Sequence, residues 1–219
     1  MSEKEWTQKE IVQLSKMLSK VLRHNAVKMG LNIGSDGRVA LDELLRHQMF
    51  RSYTVNDVMS IVESNDKQRF AISEEEGIMY IRAAQGHTIK TISDSELLTE
   101  ILDSSEIHVC VHGTYRAFLP LILENGLNRM KRNHIHMAVG IPGESEVISG
   151  MRKSCEVILY INVSAAMKDG IKFYKSSNNV ILTAGLNDTG ILPSEYIQEV
   201  VERRKRSRND SNSIEKTAL

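Results

Sequence analysis

The sequence predicts an α+β chain in two lobes, on three observations. The first part repeats helical apolar spacing three times and then shows one hairpin pattern. The second part is a series of short β-rich runs broken by turns, with few helices, which suits a mostly antiparallel sheet. Between them, over "GHTIKTISDSELLTE", the chain turns polar and restarts with a helix-like segment. These observations predict a first lobe over 1–92 and a second over 93–203. The polar tail "RRKRSRNDSNSIEKTAL", residues 204–219 for the most part, is expected to be disordered.

In the first lobe, Ile11, Leu14, Leu18, Val21 and Leu22 recur at helical spacing and predict one buried stripe. At 3.6 residues per turn, Arg23 sits about 100° and His24 about 200° around from Leu22, so His24 falls off the stripe. Gly30 predicts the helix stop. "SDGRVALDELL" predicts a turn at Asp36-Gly37, a very short strand and a helix from near Asp42. "YTVNDVMSIVESND" predicts a third helix capped by Thr54, with Asp57 closing a capping box. "KQRFAISEEEGIMYIRA" predicts a hairpin around an acidic, Gly-containing turn. Alternation there puts Tyr80 and Arg82 on one face and Met79, Ile81 and Ala83 on the other. Three helices and then a hairpin is the order of a winged-helix module, an order that many small α+β units share.

In the second lobe, "IHVCVHGTY" predicts an apolar strand that breaks at His112-Gly113-Thr114. "AFLPLILENGL" predicts a helix ended by Gly126, and "SAAMKDG" a short helix ended by Gly170. "HIHMAV", "CEVILYINV", "IKFYKSSNNVILTAG" and "EYIQEVVE" are the remaining strand candidates.

The 219 residues carry 28 Lys and Arg against 28 Asp and Glu, a net charge of zero. A general duplex binder gripping phosphates would show a basic excess, so any nucleic-acid role rests on a local pocket. No run approaches the roughly 18 apolar residues that span a membrane. Two cysteines, Cys110 and Cys155, suggest neither a disulfide framework nor a four-cysteine metal site. With a charged N-terminus, this reads as an intracellular chain, cytoplasmic or nuclear. "RRKRSR" suits a nuclear signal, and a solvated basic tail at least as well.

Arginine-bearing segments stand out. Arg23 and His24 are adjacent, and Arg82 and Arg152 lie in two further basic stretches. A guanidinium presents a planar fork of donors and stays charged, which suits bidentate phosphate binding. Converged arginines repel unless an anion sits between them, so convergence would imply a phosphate-like ligand; singly, each reads as a solvated surface residue. "HIH" at 134–136 puts two imidazoles on one strand face, but no Asp or Glu nearby completes a metal set. "HGTY" offers a strand-to-turn corner where glycine would let a ligand approach. Cys110 and Cys155 read as core. No phosphate-binding glycine loop, G-x-S-x-G or H-E-x-x-H appears, and no candidate nucleophile emerges.

Several of these stretches together resemble the NAD-dependent RNA (tRNA) 2'-phosphotransferase family, over roughly residues 12–200. They are "LSKMLSKVLRH", "GLNIGSDGRVALDELL", "IRAAQGHTI", "VCVHGTY", "GLNRMKRNHIHMA", "SGMR" and "GIKFYKSSNNVILTAG", in the family's order and with similar gaps. The resemblance implies a winged-helix lobe that takes RNA, an ADP-ribosyltransferase-like lobe that takes NAD as co-substrate, and an active site between them. It implies removal of an internal 2'-phosphate from RNA, such as that at a spliced tRNA junction. The phosphate would attack NAD with loss of nicotinamide, giving a 2'-phospho-ADP-ribosylated RNA. The ribose 2''-hydroxyl would then attack the phosphate, freeing 2'-hydroxyl RNA and ADP-ribose 1'',2''-cyclic phosphate. The substrate would thus be its own nucleophile.

The family's catalytic Arg-His-Arg-Arg set maps onto Arg23, His24, Arg82 and Arg152. The resemblance puts His112, Gly113, Thr114, His136, Ser149 and Gly150 at the NAD, and Gln85, Gly86 and His87 around the RNA phosphate or the lobe junction. The residues themselves predict no metal and no membrane partner. His24 would either hydrogen-bond the phosphate or move a proton. Where many members carry a proline soon after "LRH", this chain has Asn25-Ala26, and "QGHT" replaces the commoner "QGHS"; neither change removes a catalytic group. Two rival readings remain. One is an ADP-ribosyltransferase that stops after the first step. The other is a non-catalytic winged-helix binder, disfavoured because "TVNDVMSIVESND" holds no Lys or Arg for groove reading.

Overall fold

The computed structural model describes residues 6–141, 150–152, 154–203 and 214–217, the last for backbone only. The chain divides into two compact units, Met1–Leu97 and Leu98–Leu219. Each mixes helix with antiparallel sheet, the α+β class expected.

Unit 1 opens with α1, Gln8–Lys20. Thr7 caps it, and Glu10 returns the bond to the Thr7 backbone at 3.0 Å. Leu14, Leu18, Val21 and Leu22 are fully buried, as the stripe predicts. Burying each such side chain contributes roughly 1.5–3 kcal/mol. The α-helix does not run on through His24, however. A π turn covers Val21–Asn25, closed by the Ala26 N–H donating to the Val21 carbonyl at 2.9 Å. A short 3-10 turn comes next, and Gly30 ends it in the left-handed region at φ 71.

β1 is the two-residue strand Val39–Ala40, followed directly by α2, Leu41–Arg46. α3, Val55–Glu63, carries the Thr54–Asp57 capping box. β2, Phe70–Glu75, and β3, Ile78–Ala83, form the hairpin, turning at Glu76 and Gly77, both with positive φ. β1 adds to β3 to complete an antiparallel sheet in the order β1-β3-β2. Ile81 and Ala83 are buried while Tyr80 and Arg82 are half-buried. α4, Asp94–Leu97, ends the unit.

Unit 2 is built on an eight-stranded sheet whose pairings are all antiparallel. Its strands in chain order begin with β4, Thr99–Ile101, and β5, Val111–Thr114. α5, Leu119–Asn125, is ended by Gly126. β6, Leu127–Asn128, and β7, Ile135–Ala138, are next. Then come β8, Val157–Ile161, and α6, Val163–Lys168, which Asn162 caps. The chain continues with β9, Phe173–Lys175, β10, Val180–Thr183, and β11, Ile191–Leu192. It finishes with β12, Ile197–Arg203, and β13, Ile214–Thr217. The order across the sheet is β13-β12-β8-β5-β7-β10-β9-β4, with β11 and β6 paired separately.

Both faces of the sheet are covered at its centre. Val157, Leu159 and Ile161 join one apolar cluster, whereas Ile158 and Tyr160 join another. That is why β8 reads "VILYI" without polar alternation.

Two expectations are corrected. Residues His112-Gly113-Thr114 do not break a strand: they are the strand, paired to Leu159, Ile158 and Val157 of β8. The expected strand before them starts only at Val111, so Cys110 lies outside it, buried with its thiol 3.5 Å from the Met137 sulfur. In the tail expected to be disordered, Ile214–Thr217 pairs with Val200–Arg203 as an edge strand, because backbone pairing needs no apolar side chains. The rest of that tail, 204–213 and 218–219, lies outside the described residues. Among the described residues no helix is long and apolar enough to cross a membrane.

Candidate active site

In unit 1 the π turn sets Arg23 and His24. A π turn adds one residue to a helical turn and re-aims the side chains after it, a device common at functional sites. Arg23 is half-buried and His24 exposed. The loop after β3 is stitched to this turn. The Thr88 N–H donates to the Arg23 carbonyl at 2.9 Å, and the Thr88 hydroxyl lies 3.1 Å from His24 Nδ1. β3, which carries Arg82, also touches the π turn.

Gly86 sits against the Arg23 side chain. A Cβ there would lie 3.5 Å from Arg23 Cδ, Nε and Cζ, and Gly86 has φ +92. Backbone and guanidinium therefore lie close, in a conformation that glycine adopts without strain. Gln85 and His87 on either side are buried, at 7% and 3% exposure. His87 approaches Gly37 in the turn before β1, at 3.5 Å from a Cβ built there. The segment Gln85–Thr88 thus lines one side of Arg23 and His24.

In unit 2, His112 and His136 lie on neighbouring strands. His112 Nδ1 donates to the His136 carbonyl at 2.9 Å. A carbonyl only accepts, so Nδ1 carries the proton and Nε2 is left as an acceptor. Burial pushes the His112 pKa below its ordinary value, against the opposing effect of that hydrogen bond. The ring is therefore neutral at pH 7. Thr114 is buried. Gly113 does not open a corner to a ligand. A Cβ there would overlap Met151 Cγ and Sδ and come 3.0 Å from Cys155 Cβ. Glycine is needed so that Met151 can seat on β5.

Gly150, at φ +102, packs as closely: a Cβ would meet the Met137 carbonyl oxygen at 2.8 Å. Ser149 lies outside the described residues. Arg152 is exposed beside Tyr115 and Ser154. The Tyr115 hydroxyl is 2.9 Å from the Ser154 hydroxyl. That bond, and then the nearby Arg152 guanidinium, hold the phenol below its usual pKa. Among the described residues no three His, Cys, Asp or Glu side chains gather as a metal ion would need. His134 is buried and meets Tyr174 edge-on at 6.1 Å.

The structure thus brings Arg23, His24, Gln85, Gly86 and His87 together in unit 1, and His112, Gly113, Thr114, His136, Gly150 and Arg152 onto neighbouring parts of unit 2. Sequence reasoning missed Tyr115 and Ser154, and it met Thr88 only as the replacement for the commoner serine of "QGHS". Tyr115 closes the quoted "HGTY". Its partner Ser154 lies 39 residues on and is brought to it only by the fold.

Comparison with known proteins gives this arrangement a family. The model for "RNA 2'-phosphotransferase, Tpt1 / KptA family" matches residues 9–185. A Danio rerio protein named tRNA 2'-phosphotransferase 1 is 51% identical over 188 residues, 84% of this chain and 83% of that protein. The Saccharomyces cerevisiae tRNA 2'-phosphotransferase is 41% identical over 203 residues, 88% of this chain and 84% of its own. A Schizosaccharomyces pombe relative is 48% identical over 191 residues, 87% of this chain but 51% of its own, so the chain spans about half that protein's length. On the family match and these identities, the chain belongs to the RNA 2'-phosphotransferase, Tpt1 / KptA family.

Proposed function

We propose that this chain is an NAD-dependent tRNA 2'-phosphotransferase, which moves an internal RNA 2'-phosphate onto NAD. The observation that carries the reading is the family match over 9–185, a span that contains Arg23, His24, Arg82 and Arg152. On this reading unit 1 is a winged-helix lobe that takes the RNA. Unit 2 is an ADP-ribosyltransferase-like lobe that takes the dinucleotide.

The chain's residues suit these tasks. Arg23, drawn across Gly86, offers a fixed cation to a phosphate, and Arg82 and Arg152 add charge that deprotonation cannot remove. Fixed cations stabilise the charge of a transferring phosphoryl group without reorganising during the reaction. His24, held through Nδ1, is fit to hydrogen-bond the phosphate or to carry a proton.

A dinucleotide fits the donor set of unit 2. The neutral His112 ring keeps Nε2 as an acceptor for a ribose hydroxyl, the Thr114 hydroxyl lies next to it on β5, and Arg152 can face a diphosphate. Bound NAD would supply an electrophilic ribose carbon with nicotinamide as leaving group, which accounts for the lack of a nucleophilic side chain.

The test is to incubate the protein with NAD and a short RNA bearing one internal 2'-phosphate, and to weigh both products by mass spectrometry. The expected products are 2'-hydroxyl RNA and ADP-ribose 1'',2''-cyclic phosphate. RNA that keeps an ADP-ribosyl group would assign a transferase that halts halfway. No NAD-dependent change would overturn the enzymatic reading. Arg82→Ala and Arg152→Ala should fold normally and lose turnover, and wild-type turnover in either removes that arginine from the mechanism.

A further inference from the structure

Arg132 carries none of the roles assigned so far, yet the fold brings it to Arg152. β5 and β7 run antiparallel, with Val111 opposite Ala138. The Thr114 end of β5 therefore lies beside the Ile135 end of β7. Tyr115 comes just after the one and Arg132 precedes the other, so both belong to the same end of the sheet. The segment 150–152 runs towards that end. Gly150 packs on Met137 and Ala138, Met151 on Gly113, and Arg152 reaches Tyr115. Two backbone bonds anchor the residues after Arg152: the Cys155 N–H donates to the Arg152 carbonyl at 3.1 Å, and the Glu156 N–H to the Thr114 carbonyl at 2.8 Å.

Arg132 feels the Arg152 charge. Crowding by protein atoms lowers the Arg132 pKa first, and the Arg152 charge lowers it further. Among the described residues no carboxylate forms an ion pair with Arg132 or Arg152. Arg116, only one residue beyond Tyr115, does pair with Glu202, at 2.9 Å. Like charges held together on a chain of zero net charge favour an anion between them. Two planar forks and a phenol hydroxyl offer more donors than a carboxylate can accept, and they match a phosphoryl group.

We propose that Arg132 and Arg152, with the Tyr115 hydroxyl, clamp a single phosphoryl group. The clamp stands on unit 2 alone. Which phosphate it takes, the RNA 2'-phosphate or the diphosphate of the dinucleotide, rests on the function proposed above.

The test uses the full chain labelled with ¹⁵N-arginine and reads the Nε–Hε resonances, assigned by Arg132→Gln and Arg152→Gln. Titration with inorganic phosphate should move both resonances with one dissociation constant. Arg132→Gln should weaken the Arg152 response at least tenfold, and Arg132→Lys should restore part of it. An Arg152 response unchanged in Arg132→Gln, or an Arg132 resonance that phosphate does not move, overturns the clamp. Two more titrations name the source. Movement with 2'-phosphate RNA but not with its 2'-hydroxyl twin assigns the RNA phosphate, and movement with NAD assigns the diphosphate. If inorganic phosphate moves both resonances while neither substrate does, the clamp holds and the proposed function falls.

Discussion

The Thr88 hydroxyl lies 3.1 Å from Nδ1 of His24, while the Thr88 N–H donates to the carbonyl of Arg23 at 2.9 Å. The same hydroxyl is 3.5 Å from that carbonyl. With its proton turned to the carbonyl, the oxygen accepts from Nδ1–H of His24 and holds the ring through that nitrogen. Thr88 is thus a positioning residue for His24. Thr88→Ser keeps the hydroxyl and should hold kcat within about twofold. Thr88→Val keeps the shape and should lower kcat about fivefold to tenfold, in line with roughly 1 kcal/mol for one hydrogen bond. The ¹⁵N shifts of the His24 ring report the tautomer directly. Unchanged shifts and unchanged kcat in Thr88→Val would remove Thr88 from this role.

Burial holds the His112 pKa below its ordinary 6.5. The sign comes from linkage: below about pH 6.5 the unfolded chain binds a proton that the folded ring resists, so stability falls with falling pH. The loss begins near the unfolded value and levels off once the folded ring also protonates. Well above pH 6.5, where neither state holds the proton, His112 adds no pH dependence. His112→Asn keeps an N–H for the His136 carbonyl but cannot titrate. Urea unfolding from pH 5 to 8 should show a shallower acid slope in this variant. An identical slope would mean that other groups carry the acid sensitivity.

What the sequence made legible is local. The Thr54–Asp57 cap and the Gly30, Gly126 and Gly170 stops depend on a side chain or a φ angle within one turn of chain. The buried stripe of α1 and the apolar run of β8 depend on periodicity. What stayed hidden depends on distant partners. The π turn is held by Thr88, more than sixty residues on. "HGTY" reads as a turn until β8 supplies the ladder that makes it a strand. Arg23, His24, Arg82 and Arg152 stood out as basic residues, but only the family resemblance joined them. Arg132 escaped because nothing in its neighbourhood along the chain shows Arg152 beside it.

Gly86 tests how tightly Arg23 is held. At φ +92 an alanine is strained, and the left-handed region costs an L-residue roughly 1–2 kcal/mol. Its Cβ would meet Arg23 at 3.5 Å, ordinary contact distance, so sterics add little. Gly86→Ala should lower stability by about 1–2 kcal/mol, which for a chain of this size is roughly 2–8 °C in Tm. A scanning calorimeter measures it. No loss of Tm would mean that the loop can adopt another backbone conformation.

Gly113 and Met151 form a coupled pair. The glycine has no strain to relieve, since its φ is not positive; what excludes a Cβ is Met151, whose Cγ and Sδ occupy the place. Overpacking of this kind costs roughly 1–3 kcal/mol, and Gly113→Ala should lose about that much by urea unfolding. Met151 is flexible and buried, so it will yield before the strand does. Arg152 is its immediate neighbour in the chain, and turnover should therefore fall in Gly113→Ala beyond what the stability loss explains at temperatures where the variant stays folded. Met151→Ala empties the place. In that background Gly113→Ala should cost less than about 0.5 kcal/mol, leaving a coupling energy of the order expected for residues in contact. Additive costs in the double variant would mean that the new Cβ presses on Cys155, 3.0 Å away, rather than on Met151. Arg152 would then keep its place, and turnover in Gly113→Ala should match the wild type.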